Sequence, residues 1–296
     1  MKEKPFSKYQ ILANAVMIIW TLAIILPFIL LFMSSITDEN TLVANGYSFF
    51  PKKFSLASYS YIIKSGGQIL KAYGVSIGVT VVGTLLNVLL SALMAYPLSV
   101  KNLPGRNVMM FFVFFTMLFN GGIVPSYIMW TGTFHIKDTI FAQLLPNFLL
   151  SAWNVMMIRT YFTTSIPDGL YEAAEIDGAS QFTIFWKIVL PLGKPILVTM
   201  GTFAGLAYWN DWTNGLYYIV KNTGLYNVQN LLNQMVQNIQ FLTQSSNSNV
   251  TAAASTIPAT GIQMAIAFVA SLPIMLIFPS FQKYYAKGIA LGAVKG

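Results

Sequence analysis

The stretch that decides the fold of this chain is Leu170-Tyr171-Glu172-Ala173-Ala174-Glu175-Ile176-Asp177-Gly178-Ala179. Four of the nine acidic residues lie in or just before it, at positions 168, 172, 175 and 177, although the chain as a whole is basic and apolar. A run of exposed charges is often only a solvated helix face. The alternative is a projecting helix that docks against a basic surface of a soluble partner.

Local signals predict two short helices with a rigid turn between them, over residues 165–191. Ser165 is placed to cap the first helix, with Asp168 three residues later in the capping-box position. Gly178 supplies the left-handed residue that ends a helix, and Ser180 is placed to cap the next one. We expect this second helix to be interrupted at Pro191.

The composition predicts a membrane protein. Charged residues make up 9% of the chain and hydrophobic residues 55%, whereas a soluble domain has about 25% charged residues. We therefore expect a single transmembrane domain over residues 1–296. The basic residues are scattered at the ends of apolar runs, which indicates membrane orientation and not a nucleic-acid surface. The absence of cysteine excludes disulfides, and a single histidine, His135, argues against a histidine-built metal site.

The apolar runs predict an all-α, polytopic membrane protein with six transmembrane helices and both termini in the cytoplasm. Their approximate bounds are 11–33, 74–98, 108–130, 140–162, 195–212 and 258–281. The first run is longer than the apolar core of a signal peptide, so we interpret it as a retained helix. Eleven of the 17 Lys and Arg residues fall on the inner side, as the positive-inside rule requires. Short outer helices are expected near 56–63 and 225–241, and a cytoplasmic tail over 282–296.

Two glycine patterns bear on the packing and on the continuity of the predicted membrane helices. Gly74 with Gly78, and Gly201 with Gly205, have the GxxxG spacing that lets a second helix approach closely. The third predicted helix is interrupted by Asn120-Gly121-Gly122. Broken helices in membranes occur where protein or a water-filled cavity satisfies the freed backbone groups, so the break is a candidate pathway element.

The acidic segment resembles the EAA cytoplasmic loop of the membrane subunits of bacterial ATP-binding-cassette (ABC) importers. The resemblance rests on Glu172-Ala173-Ala174, on Asp177-Gly178-Ala179, and on the distal Leu190-Pro191. In that family the loop forms coupling helices that seat in a groove of the ATPase subunit. The resemblance implies that Glu172 meets a basic residue of the ATPase, that Ala173 and Ala174 allow close packing, and that Gly178 makes the turn. Asp177 completes this set of ATPase-coupling residues.

The resemblance extends to carbohydrate-importer permeases of the maltose type, and in particular to the smaller six-helix subunit of a heterodimeric pair. It is carried by residues 208–212, by the tail 284–296, and by Asn120-Gly121-Gly122 with Pro125, which is similar to the subgroup for complex polysaccharides and aldouronates. It implies the type I ABC importer permease fold and an oligosaccharide substrate.

A saccharide path should combine aromatic rings with amide and carboxylate groups. Two clusters fit this description: Asn120, Tyr127, Trp153 and Asn154, and then Tyr208, Trp209, Asn210, Asp211 and Trp212. Alternatively, the aromatic residues form an interfacial belt, and the asparagines bond neighbouring helices. A carboxylate at the end of a span needs a partner or water, so we expect Asp211→Asn to reduce transport without preventing assembly.

The resemblance also implies the partners: a homologous second permease, two ATPase subunits that bind ATP and Mg, an extracytoplasmic solute-binding protein and membrane lipid, in a bacterial plasma membrane. The sequence contains no G-x-x-x-x-G-K-[ST] phosphate loop and no catalytic constellation, so we expect no cofactor and no enzymatic activity in this chain. The alternative is a stand-alone secondary transporter or channel, although such proteins usually hold ionisable residues near the bilayer midplane.

Overall fold

The computed structural model describes residues 8–64, 66–244 and 258–293. This part of the chain is mostly helical, and its only β-type pairing is an isolated bridge between Thr37 and Phe54. The chain forms two compact units, one of Met1–Ile69 with Leu232–Pro273 and the other of Leu70–Leu231 with Ile274–Gly296. The single transmembrane domain over residues 1–296 stays a prediction.

The first unit contains helices α1 (Lys8–Ser35), α2 (Glu39–Asn45) and α3 (Ala57–Lys64). The Glu39 carboxylate accepts hydrogen bonds from the backbone N–H groups of Thr260 and Gly261, both at 2.8 Å, and so caps the helix that follows Pro258. α3 confirms the short helix predicted near 56–63.

The second unit is organised around α4 (Gly66–Ser99), α8 (Ala152–Ser165) and α12 (Lys194–Trp209). Between them, and after them, the chain forms α5 (Arg106–Leu118), α6 (Ile123–Ile128) with a π turn (Met129–Thr133), α7 (Phe141–Leu144), α9 (Asp168–Ile176), α10 (Gln181–Ile184) with a π turn (Phe185–Val189), α11 (Leu190–Leu192), α13 (Thr213–Tyr218) and a 3₁₀ turn (Thr223–Leu225). The helices α14 (Val228–Gln244) and α15 (Ala259–Ala293) extend across the boundary between the units.

Three helices of the described residues are long and apolar enough to cross a membrane: Tyr9–Ser35, Gly67–Ser99 and Ala259–Ile277. Two bent helix pairs raise the number to five if each is one span: Arg106–Leu118 with Ile123–Thr133, at 108°, and Gln181–Leu192 with Lys194–Trp209, at 79°. The first pair confirms the predicted break at residues 120–122.

The prediction of one continuous helix over 140–162 is wrong. The short helix α7 ends at Leu144, residues 145–151 are not helical, and α8 begins at Ala152. The helix is broken because Pro146 removes a backbone donor and Asn147 has a left-handed φ of 67°. The six-span count and the position of both termini stay predictions. Part of the predicted tail, 294–296, lies outside the described residues.

Helices α4 and α12 pack closely through glycines. A Cβ atom on Gly201 would lie 3.2 Å from Val88, and one on Gly205 would lie 3.3 Å from Thr84 Oγ1. On the opposite helix, a Cβ on Gly83 would clash with the ring of Tyr208 on α12. The predicted close approach at positions 201 and 205 is therefore confirmed. In contrast, a Cβ on either Gly74 or Gly78 would meet no described atom within 4 Å.

Candidate functional site

The acidic segment forms the helix and turn that its sequence predicts. α9 ends at Ile176, and Gly178 has a left-handed φ of 76° and donates to the Glu175 carbonyl at 3.0 Å. The side chain of Ser180 then caps α10 by accepting from the Thr183 N–H at 3.2 Å. The predicted helix end at Gly178 and the predicted helix cap at Ser180 are confirmed.

Two details of the local prediction are wrong. Ser165 does not cap this helix; it is the last residue of α8, and Pro167 is the residue that precedes α9. Pro191 does not interrupt the second helix, because the chain passes into a π turn at Phe185–Val189 and remains helical through Leu192. Proline removes one intrahelical donor, and the wider π turn lies immediately before it. The break comes at Gly193, where a Cβ would lie 2.5 Å from the ring of Phe162.

Helix α9 has one buried face and one exposed face. Ala174 is only 8% exposed and belongs to the core cluster that includes Ile184 and Phe185. The other coupling candidates, Glu172, Ala173, Asp177 and Gly178, are all exposed, and so is Ile176. The two alanines of the EAA pattern therefore differ: Ala174 packs within its own chain, while Ala173 remains available to a partner.

Side chains fasten α9 to the end of α4. Lys101 forms an ion pair with Asp168 at 2.5 Å, and the Tyr96 hydroxyl donates to Gln181 Oε1 at 2.6 Å. Gln181 in turn donates from Nε2 to Glu175 Oε1 at 2.9 Å. The Tyr96 ring also stacks on Tyr171, with centroids 6.4 Å apart. These contacts tie the docking candidate to a long apolar helix, and two of them are made by its acidic residues Asp168 and Glu175.

A second cluster surrounds the broken segment 145–151. Three backbone carbonyls there accept hydrogen bonds from side chains of other elements: Leu144 from Tyr208 at 2.9 Å, Pro146 from Asn214 at 3.1 Å, and Phe148 from Asn87 at 2.6 Å. These bonds provide partners to backbone groups that a continuous helix would pair internally. We call this cluster the polar centre; its buried members are Asn87, Gln143, Asn154, Asp211, Asn214, Asn227 and Asn230.

Amide side chains connect the polar centre. Asn154 donates to Asn87 Oδ1 at 2.7 Å, which links α8 to α4. Asn227 donates to the Asp211 carbonyl at 2.6 Å and to Gln143 Oε1 at 3.3 Å. Asn230 donates to the Trp212 carbonyl and accepts from Gln143 Nε2 at 3.3 Å. The network therefore joins segments that are distant in sequence.

Asp211 lies inside this network and not on an open surface. Its Oδ1 accepts from the backbone N–H groups of Thr213 and Asn214, at 3.0 and 3.2 Å, and so stabilises the start of α13. Its Oδ2 is buried and has no hydrogen-bond partner among the described residues. In this conformation the carboxylate supports the fold of the loop after α12.

The structure divides the predicted path residues into two groups. Asn154, Tyr208, Trp209 and Asp211 are buried, with at most 8% exposure. Asn120, Trp153, Asn210 and Trp212 are exposed, and Tyr127 is partly exposed. The exposed residues can meet a ligand in this conformation, whereas the buried ones are already surrounded by protein.

Tyr127 lies in α6 and contacts the end of α13 and the turn near residue 137. Its ring stacks on Tyr218 with centroids 5.7 Å apart, and its hydroxyl accepts from Lys137 at 3.0 Å. Next to it, Asp138 Oδ1 accepts from the backbone N–H groups of three consecutive residues, 220–222, at 2.6, 2.7 and 3.3 Å. Partial desolvation raises the pKa of Asp138, but these donors and Lys137 lower it more, so the pKa lies below its ordinary value.

Sequence reasoning missed Asn87, Gln143, Asn227 and Asn230, and it assigned no role to the contact between Tyr96 and Gln181. The available signal was a single amide in an apolar run, as at Asn87 in α4. A buried amide requires hydrogen-bond partners, but those of Asn87 lie more than 60 residues away in the chain.

An apolar helical chain with bent membrane helices and a projecting acidic helix defines a membrane permease subunit. The chain belongs to the family described as the inner membrane component of binding-protein-dependent transport systems, which matches residues 72–291. Membership of this family supports the prediction of an ABC importer subunit over the alternative of a stand-alone transporter or channel. In this family the ATPase is a separate partner subunit, so the chain has no ATPase site of its own.

Similar proteins agree with the family assignment. The chain is 36% identical to the polygalacturonan/rhamnogalacturonan transport system permease protein YtcP of Bacillus subtilis, over 97% of this chain and 98% of that protein. It is also 36% identical to protein LplC of the same organism, over 92% and 90% of the two chains. Among solved structures it resembles a chain of a bacterial ABC transporter involved in the import of the acidic polysaccharide alginate, with a TM-score of 0.79, 26% identity, and coverage of 95% and 100%.

Proposed function

We propose that this chain is one of two membrane subunits of an ABC importer for oligosaccharides released from complex polysaccharides. The second subunit is a homologous permease, two ATPase subunits bind ATP and Mg, and an extracytoplasmic binding protein delivers the sugar. The chain spans the bacterial plasma membrane six times, with both termini in the cytoplasm. Two similar proteins support this substrate class: one is named for the transport of polygalacturonan and rhamnogalacturonan, and the other belongs to a transporter involved in the import of alginate.

The observation that carries the proposal is the two-faced helix α9. Glu172, Ala173, Asp177 and Gly178 form an exposed surface, and a negatively charged surface fits a basic groove on a partner. We infer that the ATPase subunit docks here, over the loop 165–191. The tail from residue 282 onward is proposed as a second contact with the ATPase subunits.

The attachment of α9 to α4 suggests how ATPase movement reaches the membrane helices. ATP-driven closure of the two ATPase subunits moves α9, and the contacts of Tyr96 and Lys101 carry the movement into α4. α4 packs on α12 through Gly201 and Gly205, so the two long helices move as one packed pair. The importer then alternates between inward-open and outward-open states around the substrate path.

We propose the exposed residues Asn120, Trp153, Asn210 and Trp212, together with Tyr127, as contacts of the sugar. Indole rings pack against the apolar faces of sugar rings, and amides share hydrogen bonds with hydroxyl groups. The buried members of the predicted set, including Asp211, are proposed to hold the path in shape. Their substitution should change protein stability as well as transport.

The docking proposal is tested by affinity purification of the chain from its native membrane. Wild type should recover a second permease and an ATPase, whereas Glu172→Arg combined with Gly178→Leu should lose the ATPase and keep the permease. A Cβ on Gly178 meets no described atom within 4 Å, but leucine is strained at its φ of 76°, so the variant disrupts the turn as well as the docking surface. The control is Lys64→Glu, a charge reversal on the exposed end of α3, which should recover both partners. Equal ATPase recovery by all three proteins would contradict the docking site.

A further inference from the structure

An apolar cavity with two arginines at one end lies between α4, α5 and α8. Its volume is about 360 Å³, and Leu98, Met109, Val113 and Val155 are among its lining residues. The described lining contains one polar side chain, Thr116, and no charge. This volume falls in the range of small-molecule sites in proteins, and the lining favours a hydrocarbon occupant.

Helical spacing places Arg106 and Arg159 at the same end of this cavity. Arg106 shares a face of α5 with the lining residues Met109 and Val113, and Arg159 shares a face of α8 with Val155. The Nε–H of Arg159 donates to the carbonyl of Leu98, another lining residue, at 3.2 Å. The end of the cavity where α4 terminates and α5 begins is therefore the basic end.

The two guanidinium groups lack a carboxylate partner in the described part of the chain. Among the described residues, neither forms an ion pair within 4.0 Å. Arg106 and Arg159 are close enough to interact electrostatically, and their like charges repel each other. The Nε of Arg106 is buried and has no hydrogen-bond partner among the described residues. A buried charged donor without a partner is costly.

We propose that this cavity binds an anionic phospholipid, with the phosphate between Arg106 and Arg159 and an acyl chain along the apolar lining. A phosphate oxygen accepts from both guanidinium groups, removes their repulsion and satisfies the buried Nε–H of Arg106. Basic pockets beside membrane helices fit anionic headgroups in this way. The site itself does not depend on the proposed sugar or on ATPase docking; with the orientation given under the proposed function, its lipid belongs to the inner leaflet.

The bound lipid lies next to the contacts that hold α9. Leu98 lines the cavity, Tyr96 precedes it by two residues, and Lys101 follows by three. Filling the cavity therefore stabilises the end of α4 to which the coupling helix is attached. We expect the thermal unfolding midpoint of the complex to rise with phosphatidylglycerol and not with phosphatidylcholine.

The test uses the purified importer complex in nanodiscs of phosphatidylcholine, titrated with phosphatidylglycerol and followed by thermal unfolding and by native mass spectrometry of retained lipid. Each basic residue near an anionic lipid contributes about fivefold in affinity, so Arg106→Gln with Arg159→Gln should weaken phosphatidylglycerol binding about thirtyfold. The control Lys64→Gln with Lys221→Gln removes the same charge from exposed positions elsewhere and should bind as wild type does.

A second variant tests the cavity without removing charge. Ala152→Phe places a ring among the lining residues and should weaken lipid retention while both arginines remain. If the double arginine variant does not fold, Ala152→Phe still tests the proposal. Any of three lipid-binding results would overturn the proposal: equal stabilisation by the two lipids, full lipid retention in both variants, or equal stabilisation by inorganic phosphate alone, which would indicate a free-anion site. Loss of the partner permease from Ala152→Phe would assign the cavity to a protein interface and would also overturn it.

Discussion

The coupling helix α9 and the polar centre use polar residues in opposite ways. α9 exposes its acidic residues and ends at a local turn, Gly178, although its anchors Tyr96 and Lys101 lie more than 60 positions away in the chain. The polar centre buries its amides and joins residues 60 or more positions apart, as between Asn87 and Phe148. We propose that the first region meets another protein, whereas the second replaces the backbone hydrogen bonds that a broken helix has lost.

This difference predicts how each region tolerates change. A substitution on the exposed face of α9 removes few contacts within the chain, so its effect should appear in assembly and transport. A substitution in the polar centre leaves a buried donor or acceptor without a partner, so its effect should appear first in stability.

The largest expected effect on stability comes from Gly215→Ala in the polar centre. A Cβ there would overlap the side chain of Asn230, which is itself held by hydrogen bonds. Overpacking of this kind costs about 1–3 kcal/mol, and the disturbed hydrogen bonds add to it. We expect a loss of several degrees in the thermal unfolding midpoint of the purified complex.

Gly169→Ala in α9 is the matched control for that substitution. Gly169 is exposed, and its Cβ would meet no described atom within 4 Å. Alanine favours the helix by up to about 1 kcal/mol, so the midpoint should stay unchanged or rise. If the two glycines responded alike, the contrast between the regions would be wrong.

A smaller loss is expected from Asn154→Ala, because it removes the donor to the buried Oδ1 of Asn87. An unsatisfied buried acceptor costs about 1–3 kcal/mol. Asn210→Ala, at the exposed position immediately before Asp211, should change stability by less than about 0.5 kcal/mol. Thermal unfolding should separate the two variants, and equal midpoints would remove Asn154 from the network.

The hydrogen bonds that Asp138 accepts from the backbone of residues 220–222 predict a local pH dependence. The folded pKa of Asp138 is lower than its unfolded pKa of about 3.9. The contribution of this carboxylate to stability is therefore present above the unfolded pKa and is lost as pH falls through the lower folded pKa. Hydrogen exchange of the N–H groups of residues 220–222 should be slower in wild type than in Asp138→Asn at neutral pH. That difference should shrink below about pH 4. A constant difference at all pH values would contradict this role of the Asp138 carboxylate.

The smallest expected effect on stability comes from removing the ion pair between Lys101 and Asp168. Both side chains are more than half exposed, at 60% and 57%, and exposed pairs contribute about 0–1 kcal/mol. Lys101→Gln combined with Asp168→Asn should leave the unfolding midpoint within about a degree of wild type. A drop as large as that of Asn154→Ala would show that the pair is more important to the fold than its exposure indicates.

The sequence predicted α9 well because its signals are local. Gly178 and Ser180 have conformational preferences that few competing contacts override. The roles of Ser165 and Pro191 were wrong for a tertiary reason: α8 extends to Ser165, and the π turn before Pro191 keeps the helix continuous to Gly193, which packs against Phe162.

The polar centre could not be predicted from the sequence in the same way. Asn154, Tyr208 and Asp211 were recognised as unusual polar groups beside apolar runs, but the pattern did not reveal whether they face a path or each other. The break at Pro146 and Asn147 was missed because hydropathy alone does not distinguish a continuous span from two short helices. Their burial depends on donors and acceptors from other elements, as in the bond between Tyr208 and Leu144.

The most direct test compares Ala173→Cys with Ala174→Cys. The chain contains no cysteine, so each variant carries a single thiol; a thiol-linked benzophenone should then crosslink the ATPase in the intact complex from position 173 and not from position 174. Binding of the ATPase should also protect the thiol at 173 from labelling. Crosslinking from the buried position 174 alone, or labelling at 173 that ignores the ATPase, would contradict the docking of the exposed face of α9.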